Sequence, residues 1–204
     1  MINTDPYPVI TISRQFGSGG HTIAQKLSER LHIPFYDKDI VAHVAEQCGY
    51  AASFIEEKGE YMQKPGKLWN DFLLSNAPGY EDPQNTIFLA QKKVILEVAQ
   101  SPCIIVGRCA DFLLTQAGIP ILSVFIHADD AHRVQRVEQR YGKTDISTIQ
   151  RLRDKDRHRK AYYRHYTKEE WGVCNKYHIA LDSGYLGVDQ CVSILADVVK
   201  IHHR

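Results

Sequence analysis

The sequence predicts an α/β fold in which a parallel β-sheet is covered by helices on both faces. Short apolar segments such as Cys103–Val106 and Ile121–Ile126 contain almost no polar residues, which is typical of strands that are buried on both sides. Longer amphipathic segments separate them, as the crossover connections between parallel strands require. With 204 residues, of which 44% are hydrophobic, the chain can bury one sizeable core. We therefore expect one domain over residues 1–204.

The first elements follow from hydrophobic spacing. Val9–Ser13 is predicted as a short buried strand, and Gly19–Leu31 as a helix whose apolar residues recur three and four positions apart. Pro34 ends this pattern and begins a brief extended piece, Pro34–Tyr36, before a second helix over about 38–47. Residues of about 49–85 are rich in Gly and Pro but also contain large apolar side chains, so they are predicted as a loop-rich helical insertion.

In the second half of the chain, strands and helices alternate. The predicted order is a helix over 85–99, strand Cys103–Val106, a helix ending at Thr115, strand Ile121–Ile126, helix Ala131–Arg140, a basic helix near 151–168, a strand over His178–Leu181 and a closing helix from Val188. Ligands of such sheets bind beyond the carboxyl ends of the strands. Candidate binding residues stand at three of these ends, in the glycine-rich loop after Val9–Ser13, in Gly107-Arg108, and in Asp182-Ser183-Gly184.

Composition excludes several classes of protein. No stretch approaches the ~18 consecutive apolar residues of a membrane span, and the N-terminus lacks the pattern of an export signal. The five cysteines are widely spaced without a C-x-x-C pair, and the ten histidines are scattered. We therefore expect a cytoplasmic protein with reduced thiols, no structural zinc and no membrane association.

The glycine-rich loop predicts a phosphate site. Gly17-Ser18-Gly19-Gly20 and the following His21-Thr22 lie between a strand and a helix, where backbone N–H groups and the helix dipole favour an anion. Such turns also occur without any ligand. Arg108 at a strand end could hold a phosphate with both arms of its guanidinium, although a surface salt bridge would explain it equally well.

The segment 151–168 is strongly basic. It holds eight Lys or Arg against two Asp, a local balance of +6 in a chain whose formal net charge is +1. Four of these cations share one predicted helical face, since they follow i, i+4, i+7 and i+11: Arg153, Arg157, Lys160 and Arg164. A bound anion would relieve their mutual repulsion; a solvated face and a nucleic-acid surface are the alternatives.

Taken in order, these segments resemble the cytidylate kinase-like family, a branch of the P-loop nucleoside monophosphate kinases. VITISRQFGSGGHTIAQKLSERL is similar to the family's strand, loop and helix, PFYDKDI to the start of its acceptor site, and VGRCADFLL to its strand-end arginine. VFIHADDAHRVQRV resembles the strand and helix before the lid, KDRHRKAYY the lid, and ALDSGYLGVDQCV the last strand and helix. The resemblance implies a three-layer P-loop kinase fold, with a helical acceptor-binding insertion at about 49–85 and a basic lid at about 151–168.

The resemblance also implies roles for individual residues. The phosphates of ATP would be enclosed by the loop residues Gly17, Ser18, Gly19, Gly20, His21 and Thr22. Asp37 would lie at the acceptor site and Arg108 would grip the acceptor phosphate. Asp156 and Arg159 would act from the lid, with Arg157 supplying nearby charge.

Three positions depart from the family pattern. The lysine of the phosphate loop is replaced by Gly20, the acid after the strand-end arginine by Cys109, and the serine after Asp37 by Lys38. The lysine would offset charge on the β- and γ-phosphates, and one charge-assisted hydrogen bond contributes on the order of 1.5–3 kcal/mol. Another cation could supply this contact to the phosphates. Arg14 is the first candidate, and Lys155 or Arg157 is the second.

The resulting hypothesis is a kinase that uses ATP and Mg²⁺ to phosphorylate a nucleoside monophosphate, CMP-like, or a similar small phosphorylated acceptor. The alternative is a nucleotide-binding regulatory module of the same fold with weak or no phosphoryl transfer. Binding of nucleic acid through the basic helix is a third, less favoured hypothesis. The sequence predicts neither the acceptor's base and sugar, nor the Mg²⁺ ligands, nor an oligomeric state.

Overall fold

The sheet predicted from the sequence is present. The structure, a computed structural model, describes residues 9–37 and 83–201, and these residues form a five-stranded sheet of order β2-β3-β1-β4-β5 in which all paired strands are parallel. The strands are β1 (Val9–Arg14), β2 (Phe35–Tyr36), β3 (Ile104–Val106), β4 (Ile121–His127) and β5 (Ile179–Asp182). The predicted helix at 38–47 and nearly all of the predicted insertion at 49–85 lie outside the described residues.

Helices connect these strands and cover both faces of the sheet. They are α1 (Gly20–Leu31), α2 (Pro83–Val98), α3 (Ala110–Gln116), α4 (Asp130–Tyr141), α5 (Thr148–Thr167), the short α6 (Ser183–Leu186) and α7 (Val188–Ile201), with one 3₁₀ turn at Cys174–Lys176. The helix starts follow local chemistry: the Asp129 carboxylate and the Ser147 hydroxyl accept from the backbone N–H groups of His132 and Gln150 and so cap α4 and α5.

Alternating strand residues feed two separate cores. Ile104 of β3 packs with α1 and α7 on one face of the sheet, whereas its neighbour Ile105 packs with α2 and α3 on the other face. Both side chains are fully buried. This two-sided burial explains why the strands contain few polar residues, and it confirms the fold class predicted from the sequence.

Small differences from the predicted elements lie at their ends. β1 and β4 each run one residue further than predicted, to Arg14 and His127. The helix α6 was not predicted; it forms because the Asp182 carboxylate accepts from the N–H groups of Gly184 and Tyr185. Among the described residues, no helix is long and apolar enough to cross a membrane.

Candidate functional site

A cavity of about 430 Å³ opens at the carboxyl ends of β1, β2 and β3. Among the described residues, five arginines line its wall, namely Arg14, Arg108, Arg136, Arg140 and Arg159. One Asp or Glu side chain of the described part of the chain joins them, that of Asp37. This excess of positive charge suits a ligand with several negative charges.

The glycine-rich loop forms one wall of the cavity. Gly17 and Gly19 have φ of +81° and +80°, a backbone conformation that strongly favours glycine. A side chain on Gly17 would also lie 3.0 Å from the Arg133 carbonyl and from the Val137 side chain of α4. Within residues 9–37 and 83–201, no side chain caps the N-terminus of α1, so its first N–H groups can bind an anion in the cavity.

Ser18 lies behind the loop and not in the cavity. Its hydroxyl donates to the Gln15 carbonyl at 2.9 Å, and its own carbonyl accepts from the Ser183 hydroxyl at 2.5 Å. Ser18 is therefore placed to fix the shape of the loop, whereas Gly17, Gly19, Gly20, His21 and Thr22 line the cavity. That they bind the phosphates of ATP stays a prediction.

A buried ion pair fastens the loop to the neighbouring helices. The N–H of Phe16 donates to the Asp156 carboxylate of α5 at 2.8 Å, and the Arg133 guanidinium of α4 donates to the Phe16 carbonyl at 2.7 Å. Arg133 and Asp156 also pair directly with each other, and each is less than 10% exposed. Because both carboxylate oxygens of Asp156 already have partners, the structure places it as a support of the loop; its predicted contact with substrate stays a prediction.

Arg14, the last residue of β1, lines the cavity and leads into the loop. Its guanidinium Nη2 is 3.6 Å from the Asp37 carboxylate, and Asp37 also lies 3.4 Å from His21 Nε2. The backbone carbonyl of Arg14 accepts from the Arg159 guanidinium at 3.2 Å. The two residues predicted to serve the two halves of the site, Arg14 and Asp37, are thus neighbours.

Arg136 and Arg140 are cavity residues that the sequence analysis missed. They stand four residues apart on α4, and both guanidinium groups reach the Thr22 hydroxyl, at 3.0 and 3.4 Å. Burial, and then the neighbouring charge of Arg140, lower the pKa of Arg136. The spacing of the two arginines was visible in the sequence, but which face of α4 meets the loop was not.

Arg108 enters the cavity from an unusual turn. Gly107, Arg108 and Cys109 have φ of +74°, +58° and +55°, although only the first is glycine. Arg108 lines the cavity beside Tyr162 of α5. Burial raises the pKa of the Cys109 thiol well above its usual range, so this side chain stays neutral and does not reproduce the acid that the resemblance led us to expect.

The basic helix α5 has one face in the cavity and another in solvent, and the face in the cavity is not the one that carries the four regularly spaced cations. The cations Arg153, Arg157, Lys160 and Arg164 are exposed, whereas Arg159, Tyr162 and Tyr163 line the cavity. Arg157 is 69% exposed and pairs with Asp154 at 2.5 Å. Neither Arg157 nor Lys155 lines the cavity, and the four-cation face lies outside it, exposed to solvent. That this face holds an anion stays a prediction. Catalytic contacts by Lys155 and Arg157 stay a prediction.

Comparison with protein families decides the assignment. A model of the cytidylate kinase-like family matches residues 9–185. The chain belongs to the cytidylate kinase-like family. This match spans β1, the loop, the Arg108 turn and the basic helix, and it confirms the resemblance.

Solved structures with the same fold are known. This cytidylate kinase-like protein is 26% identical to an uncharacterized protein from Eubacterium ventriosum, with a TM-score of 0.69 over 94% of this chain and 98% of the other. A shikimate kinase from Bacteroides thetaiotaomicron is 14% identical, with a TM-score of 0.55 over 95% and 98%. Shikimate kinase from Acinetobacter baumannii, in complex with shikimate, is 17% identical, with a TM-score of 0.53 over 96% and 94%.

The two shikimate kinases show only that the fold is that of P-loop kinases, since both are below 20% identity. A comparison with curated protein sequences gave no match. The family and the fold together support a kinase of the nucleotide-kinase type, and the identity of its acceptor depends on the cavity itself.

Proposed function

We propose that this protein transfers the γ-phosphoryl group of ATP to a nucleoside monophosphate, CMP-like, or to a similar small phosphorylated acceptor. The observation that carries the proposal is the charge of the cavity: in the part of the chain that the structure describes, five arginines and one carboxylate line it, beside a helix N-terminus that no described side chain caps. Two phosphorylated substrates bound together would bring several negative charges to this wall. A reaction between two anions needs such neutralisation before the substrates can approach each other.

The donor half of the site comprises the loop and α4. The first N–H groups of α1 face the phosphates of ATP, while Arg136 and Arg140 leave the Thr22 hydroxyl to contact them. Phe16 is held on both sides of its peptide by Asp156 and Arg133, which keeps the loop in shape when no ligand is bound. A loop that is already ordered loses little entropy when ATP binds.

The acceptor half comprises Asp37, Arg108 and Arg159. Arg108 holds the acceptor phosphate with both arms of its guanidinium, and Asp37 contacts the rest of the acceptor. An oxygen of the acceptor phosphate forms a bond to the γ-phosphorus while the bond from that phosphorus to the bridging oxygen of ADP breaks. Since the acceptor phosphate is largely a dianion at neutral pH, no proton has to be removed, and catalysis rests on position and charge.

Magnesium would accompany ATP in this reaction. Mg²⁺ that is bound to a polyphosphate keeps several waters and needs only one or two protein oxygens. Thr22 and Asp37 both line the cavity and carry such oxygens. The Thr22 hydroxyl would be free for the ion once Arg136 and Arg140 have left it for the phosphates. When bound, the ion supplies positive charge to the β- and γ-phosphates.

A cytoplasmic location accords with this function, since three of the described cysteines are buried as free thiols. The main alternative keeps the same fold and the same cavity but assigns them to nucleotide sensing without transfer. Binding of ATP is common to both hypotheses, whereas a phosphorylated acceptor is formed only in the first.

Addition of ATP with Mg²⁺ should raise the melting temperature. A ligand that binds only the folded state at about 100 times its Kd stabilises that state by about 2.7 kcal/mol. For a chain of this size we expect a rise of roughly 5–10 °C, since each kcal/mol shifts the midpoint by about 2–4 °C. Adenosine, which lacks phosphates, is the control and should give a much smaller rise. A melting curve that ATP leaves unmoved would exclude the proposed phosphate site.

A further inference from the structure

Two departures from the phosphate-loop pattern are reciprocal. In the pattern G-x-x-x-x-G-K, counted from Gly19 as the second glycine, the first glycine falls at Arg14 and the lysine at Gly20. The chain thus has a long cation where the pattern has no side chain, and no side chain where the pattern has a long cation. A loop that had merely lost its lysine would not require the second change.

The Arg14 side chain occupies the space beside Gly20. A Cβ on Gly20 would lie 2.6 Å from Arg14 Cβ and 2.9 Å from Arg14 Cγ. Both distances are shorter than the contacts that non-bonded carbon atoms make in proteins. Gly20 is buried, so a side chain added there could not avoid the contact by a small movement. The stem of Arg14 and a side chain at position 20 therefore exclude each other.

The far end of Arg14 lies against a second glycine. A Cβ on Gly107, at the end of β3, would overlap Arg14 Nη1, although the positive φ of Gly107 by itself already favours glycine at this position. The guanidinium consequently reaches across the end of the sheet from β1 to β3, where Asp37 lies 3.6 Å from Nη2. This places a positive charge between the loop, which binds the donor, and the turn that carries Arg108.

We propose that Arg14 is the loop cation of this protein, and that Gly20 and Gly107 provide the room its side chain requires. This proposal rests on the function proposed above. Arg14 would contact the γ-phosphoryl group while that group passes from the donor half of the site to the acceptor half. Asp37 and the hydrogen bond from Arg159 to the Arg14 carbonyl hold the arginine in place. An arginine offers two donors to that group where a lysine offers a point charge.

The proposal makes activity depend on the pair of positions 14 and 20. Arg14→Ala should lower kcat by tenfold to a few hundredfold, because a charge-assisted hydrogen bond contributes about 1.5–3 kcal/mol. Gly20→Lys alone should also lower kcat, because the new side chain collides with Arg14. The double variant Arg14→Gly with Gly20→Lys should recover at least tenfold over the slower single variant. Arg30→Ala, an exposed arginine on α1, is the matched control and should behave like the parent.

Binding measurements separate this proposal from the function itself. By titration calorimetry, Arg14→Ala should lose at least tenfold more affinity for ATP than for ADP, since only ATP carries the γ-phosphate. If the parent transfers phosphate and Arg14→Ala does so equally well, Arg14 is not the loop cation although the function stands. If the double variant is no better than either single variant while its melting temperature matches that of the parent, the exchange of positions is overturned. If the parent neither binds ATP nor transfers phosphate, both proposals fail together.

Discussion

Replacing Asp156 with alanine should lower the free energy of unfolding by about 3–5 kcal/mol, because it removes the buried carboxylate that pairs with Arg133. Among the described residues, the ion pair that remains to Arg133 is the 3.3 Å contact with the exposed Asp130. The Arg133 guanidinium is 5% exposed and cannot turn to water, and the Phe16 N–H would lose its acceptor. For a chain of this length the melting temperature should fall by roughly 6–20 °C. Thermal unfolding followed by circular dichroism measures this change.

Two further variants sharpen the test. Asp156→Asn keeps an oxygen for the Phe16 N–H but removes the charge that faces Arg133, so its loss of stability should be smaller than that of Asp156→Ala. Asp154→Ala, two residues earlier on α5, removes a half-buried carboxylate whose partner Arg157 is exposed, and it should cost less than ~1 kcal/mol. Equal melting temperatures for the variants at 154 and 156 would show that the ion pair does not hold the loop.

Arg108→Ala should lower kcat/KM for the acceptor by about a hundredfold while it changes ATP affinity little. Arg108 lines the cavity and follows β3, which is the sheet neighbour of β2, the strand that Asp37 follows. Loss of one charged contact to phosphate, at roughly 3 kcal/mol, accounts for a factor of this size. Steady-state kinetics with the acceptor and ATP varied separately measure the two effects.

The conservative variant and a control complete this experiment. Arg108→Lys should recover part of the loss, because it restores the charge but not the two parallel donors. Arg153→Ala removes an exposed cation of α5 and should leave both constants unchanged. An equal loss of ATP affinity and acceptor use in Arg108→Ala would place this arginine in the donor half or in the scaffold.

The sequence predicted the sheet and its helices because burial on both faces leaves a plain pattern. Apolar strands such as Ile121–Ile126 and the amphipathic helix at Gly19–Leu31 need only local spacing to be recognised. The end of a parallel strand also marks the side on which ligands bind. The loop and Arg108 could therefore be predicted from the sequence to share one edge of the sheet, whereas Asp37 was expected at the site only from the family resemblance.

The orientation of helices around the cavity could not be predicted in this way. The cations of α5 at 153, 157, 160 and 164 form a regular face, yet burial of Leu152, Asp156 and Tyr163 turns that face to solvent. For the same reason Arg136 and Arg140 were missed, since nothing in α4 alone tells which side packs on Gly17. Contacts between residues far apart in the chain determine both orientations, and one sequence does not record them.

The reciprocal change at positions 14 and 20 could be predicted only in part from the sequence. The missing lysine was evident, and Arg14 was the first candidate to replace it. That Gly20 and Gly107 both border the arginine became evident only from distances across the end of the sheet. Reading the first glycine of the pattern at Arg14 then turns two isolated departures into one exchange.

The proposed kinase activity is tested most directly by measuring phosphoryl transfer itself. Purified protein would be incubated with Mg²⁺ and ATP labelled on the γ-phosphate, together with each of the common ribo- and deoxyribonucleoside monophosphates in turn, and the products separated by chromatography. We predict that label appears in the diphosphate of at least one acceptor, at a rate that Arg108→Ala lowers and Arg153→Ala does not. Binding of ATP without label in any diphosphate would contradict the proposed kinase activity and favour the regulatory module.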